Sequence, residues 1–474
     1  MRVAFLSSEA VPFAKTGGLG DVAGALPKAL VEEGLDVSVI HPLYDTTDRA
    51  LLDELVFDNL EVEWFGQTRR VKVWLSRAAG APAFLIEAPV YFERGKIYGE
   101  PDDHFRFAFF SRAALSLLGR LGRAPDVLHG NDWPSGFAVA WLRSGRMWGG
   151  FLARTRSLLS IHNLAYQGPF DPADLWRMGY RHGEEMNVFL SNGVASSLKA
   201  GLMTCDAIST VSRRYSFEIQ GPEQGHGLDW LLRQRSDRLI GITNGVDYDV
   251  WNPQTDPHIA APFSAEDLSG KRECKLELLR RFGLPEQPDR PVIATISRLV
   301  AQKGYDLIKQ AAGQILETGA FFVALGSGEY EYESFLQALR ETATQRVGVY
   351  IGFNEPLAHQ IEAGADIFLM PSHYEPCGLN QMYSMRYGTV PLVRATGGLD
   401  DTVEQFDPAS GAGTGFKFEP YTAQALIDKI REAIYWYTQA PAWRRIQQNG
   451  MVVDNSWRAA ARNYARVYQS LQEM

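Results

Sequence analysis

A lysine followed by closely spaced glycines, in the segment KTGGLG, stands near the amino terminus of the chain. Lys15 precedes Gly17, Gly18 and Gly20, and the segment joins an apolar run to a helical pattern. Glycine has no Cβ, so its backbone N–H groups can approach a bulky anion closely, and the lysine supplies opposite charge. The segment indicates an anion-binding turn, although glycines also serve turns that bind nothing. It has neither the Walker pattern nor a complete GxGxxG fingerprint.

Further cations and glycine-rich turns follow apolar runs in the second half of the chain. Arg298 and Lys303 are five residues apart, where a guanidinium fork and an ammonium can converge on a diphosphate or, alternatively, pair with surface acids. The turns EPCGL and TGGL begin helical patterns, and free N–H groups at a helix start suit a phosphate. The residues of interest in these turns are Cys377, Gly378, Leu379, Thr396 and Gly397.

A carboxylate beside these turns has a different predicted role. Glu375 would repel a phosphate, so we expect it to bind sugar hydroxyls, unless it caps a helix or forms an ion pair. Asp132, His162 and Asn244 follow apolar runs in the first half and are candidates to meet the same sugar, although a lone histidine is more often structural. Cys377 has no histidine base paired with it in the sequence, which favours packing or binding over nucleophilic attack.

Composition bounds the class of protein. The chain has 474 residues, 45% of them hydrophobic, and a net charge of −9 from 47 basic and 56 acidic residues. Two or three soluble domains are expected, and an acidic chain without a basic run predicts no nucleic-acid or membrane-surface partner. The three cysteines form no CxxC pair, and the amino terminus does not resemble a signal peptide, so we expect a cytoplasmic protein. No metal-binding motif is present, which predicts a site without a metal cofactor.

Apolar runs alternate with helical patterns along both halves, which predicts parallel sheets covered by helices. The irregular, proline-containing stretch 250–264 reads as a hinge or linker. We therefore predict two doubly wound α/β domains, residues 1–248 and 249–474, with a final helix near 456–474 that packs back on the first domain. Ligands of such sheets bind beyond the carboxyl ends of the strands. The predicted strands are 3–6, 37–40, 84–87, 127–129, 157–162, 207–211, 239–243, 292–296, 321–325, 347–351, 367–370 and 390–393.

Several segments together resemble one known family. SSEAVPFAKTGGLGDVAGALP, HGNDW, IHNLAYQG, GITNGVDYDVWNP, SRLVAQKG, PSHYEPCGLNQMYSMRYG and TGGLDDTV occur in that order between residues 7 and 403. They resemble the bacterial glycogen synthases and plant starch synthases, retaining glucosyltransferases of glycosyltransferase family 5. The resemblance implies a GT-B fold, in which two Rossmann-like domains face each other across a cleft. It also implies an acceptor-binding first domain and a nucleotide-sugar-binding second domain.

The resemblance implies transfer of glucose from a nucleotide-glucose, expected to be ADP-glucose, to the non-reducing 4-hydroxyl of an α-1,4-glucan such as glycogen. The catalytic residues would be Lys15, Asp132, His162, Arg298, Lys303 and Glu375. The acceptor would contact Glu9, Tyr98, Asp132, Trp133 and Asn163. The donor would contact Lys15, Gly17, Gly18, Asp21, Asn244, Arg298, Lys303, Phe353, Glu375, Cys377, Gly378, Leu379, Thr396 and Gly397, with Phe353 a candidate to stack on the base.

Departures and alternatives accompany this interpretation. Bacterial members commonly carry histidines where this chain has Asn131 and Pro134, which affects local acceptor contacts. UDP-glucose is the alternative donor, and a non-catalytic glucan-binding scaffold is the alternative function. A dinucleotide-dependent dehydrogenase shares the paired α/β layout but needs a complete glycine fingerprint and an acidic residue roughly 20 positions later, which the chain lacks.

Overall fold

The chain folds as two units, each built around its own sheet. A computed structural model describes residues 1–144, 150–180, 183–191 and 193–474. One unit comprises Met1–Gly245 together with Trp457–Met474, and the other comprises Val246–Ser456. The sequence analysis placed the boundary after residue 248. Among the described residues, no helix is long and apolar enough to cross a membrane.

The first unit contains a nine-stranded sheet in the order β12-β11-β7-β6-β1-β2-β5-β4-β3 and a small antiparallel sheet in the order β8-β10-β9. The run from β12 to β5 is parallel. The strands of both sheets of the first unit are β1 (Arg2–Leu6), β2 (Asp36–Pro42), β3 (Glu54–Trp64), β4 (Gln67–Ser76), β5 (Ala83–Glu87), β6 (Val127–Asn131), β7 (Arg156–Ile161), β8 (Pro169–Phe170), β9 (Leu190–Ser191), β10 (Val194–Ser196), β11 (Ala207–Thr210) and β12 (Leu239–Gly241).

Helices connect and cover these strands. Apolar side chains of α1 recur at helical spacing, with Val22, Leu26 and Leu30 buried, and they form one core with the strands beneath. The helices of the first unit in this part of the chain are α1 (Gly18–Glu32), α2 (Pro89–Phe92), α3 (Asp103–Leu121), α4 (Asp132–Ser144), α5 (Ala173–Arg177), α6 (Gly183–Asn187), α7 (Ser197–Thr204), α8 (Arg213–Glu218) and α9 (Asp229–Gln234), with 3-10 turns at Arg49–Leu51 and Ser236–Arg238.

The sheet of the first unit is not wholly parallel, which corrects the sequence prediction. β3 and β4 form an antiparallel hairpin, and β4 pairs antiparallel with β5. Phe65 and Gly66 join β3 to β4 with φ of 53° and 73°, the left-handed backbone that a two-residue hairpin requires. The available sequence signal was the alternation of the apolar residues Leu60, Val62 and Trp64, all buried in the structure, with acidic residues between them.

The second unit contains a six-stranded parallel sheet in the order β15-β14-β13-β16-β17-β18. Apolar clusters cover both of its faces, as expected for a doubly wound sheet. Its strands are β13 (Val292–Ile296), β14 (Phe321–Gly326), β15 (Val347–Ile351), β16 (Ile367–Met370), β17 (Val390–Arg394) and β18 (Phe416–Phe418). Its helices are α10 (Ser269–Arg281), α11 (Tyr305–Glu317), α12 (Tyr330–Thr342), α13 (Glu355–Gly364), α14 (Asn380–Arg386), α15 (Gly397–Thr402), α16 (Ala423–Tyr437) and α17 (Ala440–Met451), with a 3-10 turn at Ala301–Lys303.

The last helix, α18 (Trp457–Gln472), packs within the first unit against α1. Its buried face carries Tyr464, Tyr468 and Leu471 in the same core as α1. The Tyr468 hydroxyl lies 2.7 Å from Nδ1 of His129 on β6. The carboxyl-terminal helix is therefore joined to a central strand of the first unit.

The stretch predicted as a hinge or linker is packed against the second unit instead. Trp251 stacks between His359 and Tyr383, with ring centroids 3.8 and 4.0 Å away. Asp256 accepts a hydrogen bond from the Tyr387 hydroxyl at 2.5 Å and lies 2.7 Å from Nδ1 of His359. Prolines break the secondary structure here, but buried aromatic and polar contacts fix the segment.

Candidate active site

Glu9 shapes the glycine-rich loop between β1 and α1. Its Oε2 accepts hydrogen bonds from the N–H groups of Thr16 (2.6 Å) and Gly17 (2.8 Å), and its Oε1 accepts one from the Tyr98 hydroxyl (2.9 Å). Burial and the neighbouring Glu9 carboxylate raise the pKa of Tyr98 well above its usual value, so Tyr98 remains a donor. Glu9 and Tyr98, both predicted to contact an acceptor, are thus held together, and Glu9 also fixes the loop backbone.

The turn after Lys15 leaves open space beside Gly17 and Gly18. Lys15 Nζ lies 2.7 Å from Oδ1 of Asp21, and both side chains are partly exposed. A Cβ built on Gly17 or Gly18 would meet nothing within 4 Å, whereas one on Gly20 would lie 2.9 Å from Cγ of Lys15. No side chain caps the start of α1 at Gly17. Within the first unit, packing therefore requires glycine at Gly20 but not at Gly17 or Gly18.

Asp132 and His162 meet at the ends of the neighbouring strands β6 and β7. Oδ1 of Asp132 accepts a hydrogen bond from the His162 backbone N–H at 2.7 Å. Asp132 adopts a left-handed backbone, with φ of 52°. Removal of its carboxyl from water, with a smaller contribution from Glu9, raises the pKa of Asp132 to about 7, against the lowering effect of the N–H groups of His162 and Asn163. Burial lowers the pKa of His162 to about 4, so His162 is neutral at neutral pH.

Other predicted residues of the first unit take distinct positions. Trp133 packs edge to face on Phe107, with ring centroids 4.9 Å apart, and its ring lies against Gly168. The Asn163 side chain accepts a hydrogen bond from the Ala165 N–H at 3.0 Å. Asn244 follows β12 at the edge of the sheet, and its buried Oδ1 has no hydrogen-bond partner among the described residues. No hydrogen bond joins Asn244 to Asp132 or His162 in the part of the first unit that the structure describes.

In the second unit, Lys303 and Glu375 form an ion pair at the ends of the neighbouring strands β13 and β16. Lys303 Nζ lies 2.5 Å from Oε2 of Glu375, which also accepts a hydrogen bond from the Ser372 hydroxyl at 3.2 Å. Their side chains are 18% and 8% exposed. The sequence predicts a diphosphate for Lys303 and a sugar for Glu375, with an ion pair as the alternative for each, and the structure pairs the two side chains with each other.

The loop that carries Lys303 is joined to the loop that carries Glu375. Arg298 is exposed, and its Nη2 donates to Oε1 of Gln302 at 3.2 Å. The Gln302 carbonyl oxygen also accepts a hydrogen bond from the His373 N–H at 2.8 Å. Gly304 has φ of 82°, and a Cβ there would lie 2.2 Å from the Pro371 carbonyl oxygen. This close approach brings the Lys303 loop against the segment that carries Glu375.

The turn after β17 packs on the same loop. A Cβ on Gly397 would lie 1.9 Å from the Glu375 carbonyl oxygen, and one on Gly398 would lie 2.1 Å from the Cys377 carbonyl oxygen. Thr396, at the start of α15, is buried. The structure therefore gathers the predicted residues after β13, β16 and β17 at one end of three adjacent strands.

Gln381 is a site residue that the sequence analysis missed. Its Nε2 donates to the carbonyls of Cys377 and Gly378 and to the Thr402 hydroxyl, each at 3.1 Å. Its Oε1 is buried without a partner among the described residues. Gly378 has φ of 72°, and a Cβ there would meet Oε1 of Gln381 at 2.6 Å. No sequence spacing indicated Gln381, because two of its partners are backbone carbonyls.

The remaining donor candidates stand apart or at the edge of this cluster. Leu379 precedes α14, and Cys377 is buried. Phe353 follows β15, the edge strand, and is 85% exposed. Among the described residues, no group of three or more His, Cys, Asp or Glu side chains is placed to hold a metal ion. The absence of a metal cofactor remains a prediction.

Comparison with protein-family models gives two matches. Residues 2–234 match the starch synthase catalytic domain, and residues 279–450 match the glycosyl transferases group 1 family. The chain is similar over its full length to curated glycogen synthases. One from Koribacter versatilis is 42% identical, covering 100% of this chain and 99% of the relative, and one from an Anaeromyxobacter species is 46% identical, covering 99% of both.

Solved structures show the same similarity. The catalytic domain of Starch Synthase IV from Arabidopsis thaliana, bound to ADP and acarbose, has a TM-score of 0.92 at 34% identity and covers 100% of this chain and 99% of its own. A sucrose-phosphate synthase from Thermosynechococcus elongatus, at 17% identity and a TM-score of 0.61, covers 99% of this chain and 98% of its own and shares the fold. These similarities confirm the predicted two-domain GT-B class.

Proposed function

The chain belongs to the glycogen synthase and starch synthase family of glycosyltransferases, and from this premise we propose which reaction its residues perform. Members of this family use a nucleotide-sugar donor and a glucan acceptor. The proposed reaction transfers glucose from ADP-glucose to the non-reducing 4-hydroxyl of an α-1,4-glucan, with retention of configuration at the anomeric carbon.

The Lys303–Glu375 ion pair, with Arg298 on the same loop, is the observation that carries the proposal. Burying two charges costs desolvation energy, and an apolar pair would often stabilise a fold as well or better. Folding alone therefore gives little reason for this pair. A cation and a carboxylate side by side suit a ligand that presents a diphosphate next to sugar hydroxyls, with Lys303 and Arg298 on the diphosphate and Glu375 on the hydroxyls.

The charges that develop during transfer fit these side chains. As the bond between the anomeric carbon and the diphosphate oxygen stretches, negative charge grows on the leaving group and positive charge on the sugar. We assign Lys303, which is held by Glu375, and Arg298, on the same loop, to stabilise the negative charge on the leaving group. We assign the Asp132 carboxylate, which is ionised above about pH 7, to stabilise the positive charge on the sugar. We assign Lys15 and the open Gly17–Gly18 turn to donor binding as well.

Retention does not require an enzyme nucleophile in this proposal. The acceptor hydroxyl attacks the face that the diphosphate leaves, its oxygen forms the new bond to the anomeric carbon, and its proton passes to the departing phosphate oxygen. Incubation with a slow donor analogue followed by intact-mass spectrometry tests this step. No covalent adduct is expected, and a glucosyl group attached to Glu375 or Asp132 would contradict it.

ADP-glucose is preferred to UDP-glucose because ADP is bound in the structurally similar starch synthase. The exposed ring of Phe353 is our candidate for stacking on the base. A chromatographic assay of nucleotide release, with and without glucan, tests both the donor and the activity. Faster glucan-dependent release of ADP is expected. Equal or faster release of UDP would overturn the donor assignment, and no release from either donor would favour a glucan-binding scaffold.

The proposal requires no metal, because Arg298 and Lys303 supply the positive charge that a divalent cation would otherwise bring. Turnover should therefore be unchanged by excess EDTA and by added magnesium. We also propose a cytoplasmic location, supported by the three cysteines, which are buried and form no disulfide. A large loss of activity after chelation would contradict the metal-free assignment.

A further inference from the structure

Asn131 lies between two strands of the first unit and contacts a residue on each side. It is the last residue of β6, fully buried, and β6 pairs with β1 on one side and β7 on the other. Its Nδ2 donates to the Leu6 carbonyl oxygen at 2.9 Å, and its Oδ1 lies 2.9 Å from Nε2 of His162.

These two contacts fix the orientation of the amide. A backbone carbonyl only accepts hydrogen bonds, so the amide group that faces Leu6 must be the NH2. The Asn131 oxygen therefore faces His162, and an amide oxygen also only accepts. The hydrogen in this contact must lie on Nε2 of His162.

The location of that hydrogen determines the other ring nitrogen. A neutral imidazole carries one N–H, so with Nε2 protonated, Nδ1 has a lone pair. Among the described residues, Asp132 at the start of α4 and His129 of β6 interact with His162, and Glu9 acts on Asp132 from the loop after β1. The buried amide of Asn131 adds no charge to this set.

We propose that Asn131 is a positioning residue that keeps the single hydrogen of the neutral His162 ring on Nε2, so that Nδ1 accepts a hydrogen bond from a hydroxyl of the transferring sugar or the acceptor. A neutral acceptor also avoids placing positive charge where the sugar becomes positive during transfer. The functional half of this inference rests on the proposed function, whereas the tautomer itself does not.

The tautomer can be measured on the full chain without substrate. Two-dimensional long-range ¹H–¹⁵N correlation spectra of ¹⁵N-histidine-labelled protein distinguish protonated from unprotonated ring nitrogens, and the spectrum of H162Q assigns the signals of His162. At pH 7 we expect a neutral ring with hydrogen on Nε2. Hydrogen on Nδ1, or a charged ring, would overturn the proposal.

N131L tests the causal role of the amide, because leucine is similar in volume and offers no hydrogen bond. In N131L we expect that His162 is no longer held in one tautomer. We expect kcat to be lower by roughly 10- to 100-fold, the effect of one lost hydrogen bond at a buried site. The KM for ADP-glucose should change much less. An unchanged His162 spectrum in folded N131L would refute the role of Asn131.

N463L is the matched control, since Asn463 lies exposed on α18. It should keep both the His162 spectrum and the wild-type kcat. If N131L does not fold, the wild-type tautomer still decides whether the first half of the proposal stands. If wild-type protein has the expected tautomer but releases no nucleotide from ADP-glucose, the proposed function fails while the assigned tautomer stands.

Discussion

Replacement of Lys303 by glutamine separates the stabilising and catalytic roles of the Lys303–Glu375 pair. In the wild type, the two groups are 2.5 Å apart and mostly buried. Glutamine keeps a donor of similar length but has no charge. If Lys303 stabilises the departing diphosphate, its loss resembles the loss of one preorganised donor to a developing anion, which costs about 100- to 1,000-fold in kcat, or about 3–4 kcal/mol.

The same substitution has a cost for stability. Removing one partner of a buried ion pair costs about 3–5 kcal/mol, because the other charge stays buried without compensation. Because Lys303 retains some exposure and glutamine can still donate to Glu375, we expect K303Q to lower the free energy of unfolding by about 3 kcal/mol or less. In the double variant K303Q/E375Q the uncompensated charge is gone, and the free energy of unfolding should recover part of this loss.

Glucan-dependent release of ADP from ADP-glucose measures the catalytic part, and denaturant unfolding measures the stability part. K309Q is the matched control, because Lys309 forms an exposed ion pair with Glu331 at 2.8 Å and should affect stability by less than about 1 kcal/mol and kcat not at all. The catalytic interpretation is refuted if K303Q turns over at near the wild-type rate, or if K303Q/E375Q regains wild-type kcat along with stability.

Two further predictions follow from the glycines and from Asp132. G18A should fold with at least wild-type stability, because its Cβ meets open space and alanine loses less conformational freedom than glycine, yet it should bind ADP-glucose more weakly. G397A should lower the unfolding midpoint, because its Cβ would lie 1.9 Å from the Glu375 carbonyl oxygen at a φ of 46°. Equal unfolding midpoints for the two variants would contradict this contrast. Because protonation removes the charge of Asp132, kcat should fall as pH drops below about 7, and a pH–rate profile of D132N should lack that limb.

The raised pKa of Asp132 also has a defined sign for stability. The folded chain holds this proton up to about pH 7, whereas the carboxyl of an unfolded chain releases it near 3.8. The stabilising contribution of the bound proton is therefore present at low pH and is lost as pH rises from about 4 to about 7. In denaturant unfolding, the free energy of unfolding of the wild type relative to that of D132N should decrease as pH rises from about 4 to about 7. A difference that stays constant over this range would argue against the raised pKa.

Strong apolar periodicity made most of the parallel sheets predictable. The second-unit strands β13, β15 and β16 coincide with the predicted 292–296, 347–351 and 367–370, because buried parallel strands read as continuous apolar runs. The β3–β4 hairpin was missed because apolar and polar residues alternate only over short parts of it, residues 60–64 and 71–73. The packed segment around Trp251 was read as a linker because its contacts lie more than 100 residues away in sequence, where no local pattern reports them.

The candidate site was predictable in residue type but not in pairing. Lys303 and Glu375 were both singled out, yet their direct contact depends on the register between β13 and β16 and on the close approach at Gly304. Gln381 and the second role of Glu9 escaped notice because each acts on backbone groups of a loop. Side chains of that kind have no spacing rule, since their partners are carbonyls and N–H groups that every residue carries.

The glycines separate what the fold demands from what a ligand demands. At Gly397 and Gly398 a side chain would collide with the loop of Glu375, so the packing of the second unit alone excludes it. At Gly17 and Gly18 the first unit leaves the space empty, and an uncapped helix start faces it. Glycine loses more conformational freedom on folding than other residues, so its presence where packing does not need it is a net cost to stability. That cost is explained if a bulky anion must approach the backbone at this turn, and the sequence shows identical GG pairs at both places, so coordinates were needed to tell them apart.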